Sequence, residues 1–300
     1  MSNIDKKLSL KEVVGRKVVC FLTFVSPTLS SKVIYRIHTH KKLDLKNPKL
    51  FNEKLMYLKL HDYKNNPLVI ECSDKLKVRD YVTKCGLGHL LNKVYGVYDD
   101  ARDIDFASLP SKFALKCNHG CGFNIICTDK DKLDKEKNIK TLNKWKKTKF
   151  GYNTCEPHYF KIKPRIYAEE YIASNDGIMP NDYKIYCFNG EPKIVLVCSE
   201  REHDLKLTFF DLEWHELNYG TARFKTKKKI KKPQNLDKMI EYAKILSKPF
   251  KFVRVDFYDN FDKVLFGELT FTPARCSAEY YNDKGSIELG NMLSLKEEDK

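Results

Sequence analysis

The stretch Lys251 to Pro273, KFVRVDFYDNFDKVLFGELTFTP, decides how the rest of the chain is read. Val253, Val255 and Phe257 alternate with Arg254, Asp256 and Tyr258. Further on, Phe266, Glu268 and Thr270 alternate with Leu265, Gly267, Leu269 and Phe271. Alternation with a period of two, on either side of a short polar stretch, predicts a hairpin of two half-buried strands. With a turn running from Asp259 to Lys263, Tyr258 faces Val264 and the even-numbered residues of both strands project from one face. Arg254, Asp256, Glu268 and Thr270 then form one cluster. Two neighbouring carboxylates repel each other unless positive charge lies between them, and a hard divalent cation with oxygen ligands meets that need. The hairpin therefore reads as a magnesium and phosphate site.

A chain of 300 residues suits one large domain or two to three lobes. Its 55 Lys and Arg against 40 Asp and Glu give a net charge of +15, which favours anionic partners: nucleotides, nucleic acid, acidic glycans or an anionic membrane surface. The 10 cysteines are scattered without paired spacing and no secretory signal is recognisable, so the chain is placed in a reducing cytoplasm with free thiols. The apolar run from Val13 to Val25 is interrupted by Gly15, Arg16 and Lys17. It falls short of the roughly 18 apolar residues of a membrane span, which leaves a surface helix as the membrane reading that remains open.

Before the hairpin, helices are expected over Lys6 to Val14, Lys32 to His40 and Phe51 to Leu60, the last with Asn52 as its N-cap. Another is expected from Asp74 to Cys85, stopped by Gly86 and Gly88. Asn92 to Val97 reads as a short strand. Phe113 to Lys116, the loop CNHGCGFN and Ile125 to Thr128 then read as strand, glycine loop and strand. The backbone amides of such a loop can approach phosphate oxygens, and Lys116 at its entrance supplies a point charge. The helix-flanked Walker pattern is absent. Cys117, His119, Cys121 and Cys127 offer a competing zinc reading, but their spacing fits none of the common structural patterns.

Arg165 to Ile172 reads as a strand passing into the polar stretch Ala173 to Asn181. There a purine base could meet backbone amides; an edge strand with acidic gatekeepers is equally consistent. Asp182 to Phe188 alternates, Asn189 and Gly190 make a hairpin turn, and Pro192 to Ser199 returns. Leu207 to Phe210 and Glu213 to Leu217 read as a further strand pair. Lys225 to Lys232 reads as a solvated loop, and Asn235 to Leu246 as a capped amphipathic helix. This order argues for an α+β protein with lobe boundaries near residues 104 and 172.

Taken in order, the segments LDLKNPKLFNEKLMYLKL, SDKLKVRDYV, FALKCNHGCGFN, YAEEYI, DYKIYCFNG, RVDFY and GELTFTP resemble those of ATP-grasp proteins. The likeness is to the TupA-like group, associated with teichuronopeptide and capsular polysaccharide biosynthesis. It implies an ATP-grasp fold: two α+β lobes holding ATP between them, after a helical, basic N-terminal region. The corresponding divisions are residues 1–104, a lid lobe with the glycine loop at 105–172, and a lobe with the metal site at 173–300.

The resemblance also implies roles. Lys116 resembles the lysine that reaches the ATP α- and β-phosphates, and His119, Gly120, Cys121 and Gly122 lie in what resembles the loop that closes over the γ-phosphate. Glu169, Glu170, Tyr171 and Ile172 look like the adenine hinge, and Asp176 like a ribose contact. Lys184 faces the same cleft. Asp256 and Glu268 resemble the paired magnesium ligands, and Arg254 the arginine that stabilises the transferred phosphoryl group and the tetrahedral oxyanion. Thr270 stands where such ligases commonly carry asparagine, which leaves its metal role open. Ala274, Arg275 and Cys276 replace an expected glycine-rich turn, with Arg275 either touching the acceptor or capping a loop.

The activity implied is acyl activation with ATP and Mg2+: a carboxylate becomes an acyl phosphate, and an amine displaces phosphate to give an amide. The acid expected is a uronic acid or acidic group of a surface glycan precursor, and the amine an amino acid or amino alcohol. Two other readings stay open: a glycosyltransferase using a nucleotide-sugar, and a non-catalytic basic protein on a polyanion or membrane surface. The interleaved aromatic platform of single-strand binders is not evident, so no nucleic-acid partner is expected. The location expected is cytoplasmic, with peripheral contact at the inner membrane face left open.

Overall fold

The computed structural model describes residues 9–172, 182–200, 204–260, 263–277 and 279–296. The chain opens with two helices, α1 (Leu10–Val25) and α2 (Pro27–Thr39), hinged at Ser26. Ser9 and Glu12 form a capping box at the start of α1, and Pro27 sits at the first position of α2, where its fixed φ suits a helix start. The sequence reading ended the first helix at Val14; it continues through Gly15 to Val25.

The third helix, α3 (Phe51–Leu58), runs on as a π-helical turn over Lys59–Tyr63. Asn52 is not its N-cap: Leu50 holds that position, and Glu53 Oε2 accepts from the Lys49 and Leu50 amides at 3.0 Å each. A short α4 (Pro67–Ser73), capped by Asn66, was not expected, and α5 (Val78–Lys84) begins later than Asp74. Asp74 instead closes a turn, accepting from the Leu76 amide at 2.9 Å.

Four strands make the first sheet: β1 (Val94–Tyr98), β2 (Phe113–Cys117), β3 (Asn124–Cys127) and β4 (Ile166–Glu170), in the order β1-β4-β2-β3 with antiparallel neighbours. Between β3 and β4 run α6 (Lys135–Lys146) and α7 (Phe150–Thr154). Leu142 and Trp145 of α6 are buried in one cluster with Phe113, Leu115, Ile166 and Ala168.

The second sheet holds six strands: β5 (Asp182–Phe188), β6 (Glu191–Ser199), β7 (Lys206–Phe210), β8 (Glu216–Leu217), β9 (Phe252–Asn260) and β10 (Lys263–Thr270). Their order is β10-β9-β5-β6-β7-β8, again antiparallel throughout. Asn189 and Gly190 join β5 to β6 with φ of 49° and 79°, the left-handed pair that a two-residue hairpin turn demands. Helix α8 (Leu236–Ser247) packs on β5, β6 and β9, and α9 (Asp283–Met292) packs on α3. Asn235 holds the N-cap position of α8 without a side-chain capping bond; its Nδ2 donates to Asp259 Oδ1 at 2.8 Å and ties the helix start to the end of β9.

The β9 alternation is realised: Val253, Val255 and Phe257 are fully buried and share the main core with Phe51, Tyr186, Phe188 and Met239. Burial of each such Val or Phe contributes about 1.5–3 kcal/mol. That core fixes the strand, and the strand presents Arg254 and Asp256 on its other face. All 10 cysteines are unpaired. No helix among the described residues is long and apolar enough to cross a membrane.

Candidate active site

The hairpin reaches the expected cluster by an unexpected route. Asn260 pairs with Lys263, and Tyr258 stands opposite Leu265 rather than Val264. The connection is therefore shorter than the five-residue turn read from the sequence. With regular pairing from there, Glu268 would fall opposite Val255 and point into the core. Between Phe266 and Glu268 the register shifts by one, with Gly267 as the extra residue, and Glu268 comes to face Asp256 while Thr270 faces Arg254. A Cβ on Gly267 would lie 3.0 Å from the Asp256 carbonyl oxygen, so the bulge needs the close approach that glycine permits.

On the face so formed, Arg254 spans the cluster. Its Nε donates to Asp256 Oδ1 at 2.6 Å, and its Nη2 to Asp256 Oδ2 at 2.7 Å, Thr270 Oγ1 at 3.0 Å and Glu268 Oε1 at 3.3 Å. Thr270 Oγ1 in turn donates to Glu268 Oε1 at 2.9 Å. From β5, where Lys184 stands opposite Asp256, Lys184 Nζ lies 2.5 Å from Asp256 Oδ2 and 2.7 Å from Asp182 Oδ2. Lys75, in the turn before α5, places Nζ 2.5 Å from Glu268 Oε2. Among the described residues three acids meet three bases here, so their formal charges cancel.

Burial works against every charge here, and partners oppose it. Burial, the largest influence, leaves the Asp256 carboxyl above the ordinary carboxylate range, although Arg254 and Lys184, each within 2.7 Å, pull against it. Burial would lower Lys184, but Asp256 and Asp182 raise it above the ordinary lysine range. For Glu268, burial is outweighed by Lys75, Arg254 and Lys184, which hold it below the ordinary carboxylate range. Its side chain keeps 30% exposure against 3% for Asp256, so Glu268 is the carboxylate that opens outward.

Lys116 on β2 forms an ion pair with Glu169 on β4, so the structure pairs two residues to which the sequence reading gave separate contacts. Beyond Lys116 the glycine loop turns back, with φ of 77° at Gly122. Cys121 in this loop is exposed, and the Lys75 amide donates to the Asn118 carbonyl oxygen at 3.1 Å, which ties the start of the loop beside the lysine that pairs with Glu268 of the second sheet. Gly120 is packed beneath Phe150 and Phe123: a Cβ there would meet their rings at 2.7 and 2.9 Å. His119 points inward, its Nε2 3.2 Å from the Thr148 carbonyl oxygen, and burial lowers its imidazole below the ordinary value. Among the described residues no group of His, Cys, Asp and Glu has the arrangement of a three-ligand metal site, so the zinc reading of this loop finds no support.

The strand β4 ends at Glu170, whose amide and carboxylate are engaged with Lys93. Tyr171 and Ile172 follow, half-buried and outside the strand. Asp176 lies outside the described residues. Beyond Pro273, Ala274, Arg275 and Cys276 take φ of 46°, 61° and 58°. The backbone thus makes the turn that glycines would be expected to make, in three consecutive residues that carry side chains. Strain of that kind is held only where surrounding structure over-determines it, and it collects at functional sites.

The family model for TupA-like ATP-grasp proteins matches residues 53–294. The chain belongs to that family.

Among solved structures it is similar to D-alanine–D-alanine ligase from Bacillus anthracis, at 15% identity over 74% of this chain and 64% of that one, with a TM-score of 0.45. It is also similar to purK, N5-carboxyaminoimidazole ribonucleotide synthetase, in its ADP complex, at 13% identity over 78% and 52% of the two chains, with a TM-score of 0.45. A third is the ATP-grasp ligase PsnB with minimal precursor, Mg and ADP, at 13% identity over 75% and 57%, with a TM-score of 0.38. The chain spans between about half and two thirds of the length of these structures. No protein of curated function matches it.

The donor set of this TupA-like chain fits magnesium. Asp256, Glu268 and Thr270 present hard oxygen atoms on one face, few enough to leave positions for water and phosphate, as Mg2+ requires. Lys75 and Asp182 belong to the same cluster and were not singled out from the sequence. Asp182 carried a signal, being two residues before Lys184 on one strand face. Lys75 carried none beyond its place in SDKLKVRDYV, because its partner lies 193 residues away.

Proposed function

We propose that this protein is an ATP-dependent carboxylate–amine ligase that forms an amide on a uronic acid or acidic group of a surface-glycan precursor. The observation that carries the reading is the Asp256, Glu268 and Thr270 oxygen cluster, held on one face by the Gly267 bulge and balanced by Arg254, Lys184 and Lys75. In this reading Asp256 and Glu268, with Thr270, hold the magnesium, which supplies Lewis-acid neutralisation of phosphate charge.

The chain's own residues do the rest. Lys116 leaves Glu169 for the α- and β-phosphates, and the loop of His119, Gly120, Cys121 and Gly122 covers the γ-phosphate with its amides. Glu169, Glu170, Tyr171 and Ile172 border the base. Arg254 and Lys184 stabilise the phosphoryl oxygens as the substrate carboxylate attacks in line, and Arg254 faces the oxyanion that develops when the amine adds. No nucleophilic side chain is required. An N-terminal region at 1–104, a lid lobe at 105–172 and a metal lobe at 173–300 are the divisions this reading takes. It places the protein in the cytoplasm, acting on a carboxylate-bearing sugar or glycan precursor and an amino acid or amino alcohol in capsular polysaccharide synthesis.

The test is a panel of uronates and acidic amino acids against amines, scored by ADP release and product mass. ADP release that needs both an acid and an amine, with a product heavier by their condensation, is expected. Turnover of a UDP-sugar without ATP would replace this reading with the glycosyltransferase one.

A further inference from the structure

Of the 11 large hydrophobic side chains left exposed among the described residues, seven lie between Val14 and Ile37. That concentration marks one surface rather than scattered exposure. Val14, Val18, Phe21 and Val25 recur at i, i+4, i+7 and i+11, which places them on one stripe of α1. This stripe faces out: Phe21 is 66% exposed and Val25 61%. Phe24 beside it is 75% exposed. The opposite face of α1 is the packed one, where Thr23 is buried and its Oγ1 meets Ser30 Oγ of α2 at 2.8 Å. Ser31 Oγ of α2 lies 3.3 Å from Cys155 Sγ just after α7, and α1 itself packs on α7, so the hairpin is fixed to the body. The apolar stripe is thus inverted relative to an ordinary surface helix, whose apolar face turns to the core.

Charge identifies what fits it. From Leu10 to His40 there are five Lys and Arg and a single acid, Glu12. Arg16, Lys17, Lys32 and Arg36 are exposed around the apolar residues. Between α1 and α7 lies an open groove of about 540 Å³ whose walls include Phe21, Phe24 and Tyr152, with Arg16, Lys17 and Lys149 among them. A second copy of the same surface would set these cations against each other. An anionic bilayer accepts both features, taking the aromatic and aliphatic stripe at the acyl boundary and the cations at the phosphates. At 16 residues α1 is too short to span, but its length suits lying in the interface. The hairpin also lies wholly before residue 53, where the family match begins, so the ATP-grasp fold does not account for it.

We propose that α1 and α2 form a membrane-surface anchor, with Val14, Val18, Phe21, Phe24 and Val25 entering the interface of an anionic bilayer and Arg16, Lys17, Lys32 and Arg36 meeting its phosphates. This would hold the ATP-grasp body at a lipid surface. Binding requires no nucleotide, so its outcome is independent of the ligase reading.

The experiment is co-sedimentation of the full chain with vesicles of phosphatidylcholine alone and of phosphatidylcholine mixed with phosphatidylglycerol. The wild type is expected to sediment with the mixed vesicles and to remain in solution with the neutral ones. Phe21→Ser with Phe24→Ser, both at exposed positions, is expected to lower partitioning roughly tenfold or more. Arg16→Glu with Lys17→Glu is expected to do the same, and both double variants should keep the wild-type circular dichroism and melting temperature. The proposal is overturned if the wild type ignores mixed vesicles or if both folded double variants bind as it does. It is equally overturned if the chain is a dimer that Phe21→Ser with Phe24→Ser turns into a monomer without any vesicle binding.

Discussion

Asp256 and Glu268 face each other across β9 and β10 because the second strand carries one extra residue, Gly267, immediately before the glutamate. A carboxylate pair of this kind is a consequence of backbone register, and register here depends on a site where a Cβ would lie 3.0 Å from a carbonyl oxygen. Gly267→Val is therefore expected to destabilise the fold by about 1–3 kcal/mol, in the range of overpacked positions. It should also abolish the stabilisation that Mg2+ and an ATP analogue give the wild type. Urea unfolding with and without the nucleotide checks both effects.

Lys184 sits between two buried carboxylates, Asp182 at 5% and Asp256 at 3% side-chain exposure. Lys184→Met removes the cation that bridges them. A loss of about 3–5 kcal/mol is expected, the scale for breaking a buried pair on one side. Asp182→Asn combined with Lys184→Met should recover part of it, measured as a coupling in a double-mutant cycle.

Lys116 and Glu169 are each other's partner across β2 and β4, and Glu169 is almost fully buried. Lys116→Ala should weaken binding of an ATP analogue by about tenfold or more, the scale of a lost charge-assisted contact. It should also destabilise the chain, because the carboxylate is left without its cation. Glu169→Gln in the Lys116→Ala background is expected to restore stability without restoring nucleotide binding. Thermal melting and calorimetric titration separate the two.

His158 is buried, and burial together with Lys59 lowers its imidazole to about 3. A folded value below the unfolded one means that the unfolded chain takes up the proton first as pH falls. The stability contributed by neutral His158 is therefore present above about pH 6.5 and is lost as pH drops toward 3. One such group gives a slope of up to about 1.4 kcal/mol per pH unit in that window. His158→Gln should flatten the dependence between pH 6 and pH 4.5, read from urea midpoints about every half unit.

What the sequence showed and what it hid divide along physical lines. The alternation of Val253, Val255 and Phe257 with Arg254 and Asp256 was legible because one face of a strand is buried and the period is two. The bulge was not legible, since nothing in the order of residues says which glycine will be left out of the ladder. The cluster was inferred correctly from a turn that proved shorter, with Gly267 compensating. Lys75 was hidden because contacts distant in sequence have no local signature. Asn52 is not a cap although its residue type favours that role, because Leu50 with Glu53 closes α3; Asn235 holds the N-cap position of α8, but Asp259 takes its side chain. The length of α1 was missed because Gly15, Arg16 and Lys17 interrupt the apolar run, although they fall at different angles around a helix.

We propose that Lys116, Asp256 and Glu268 belong to one cleft that holds ATP through magnesium. Calorimetric titration of a non-hydrolysable ATP analogue, in Mg2+ and in EDTA, tests it most directly when run on the wild type, Lys116→Ala and Glu268→Gln. The account predicts binding that requires Mg2+ and weakens by about tenfold or more in each variant. Binding that is indifferent to Mg2+ and to both substitutions, or tight binding of a UDP-sugar with none of ATP, would contradict it.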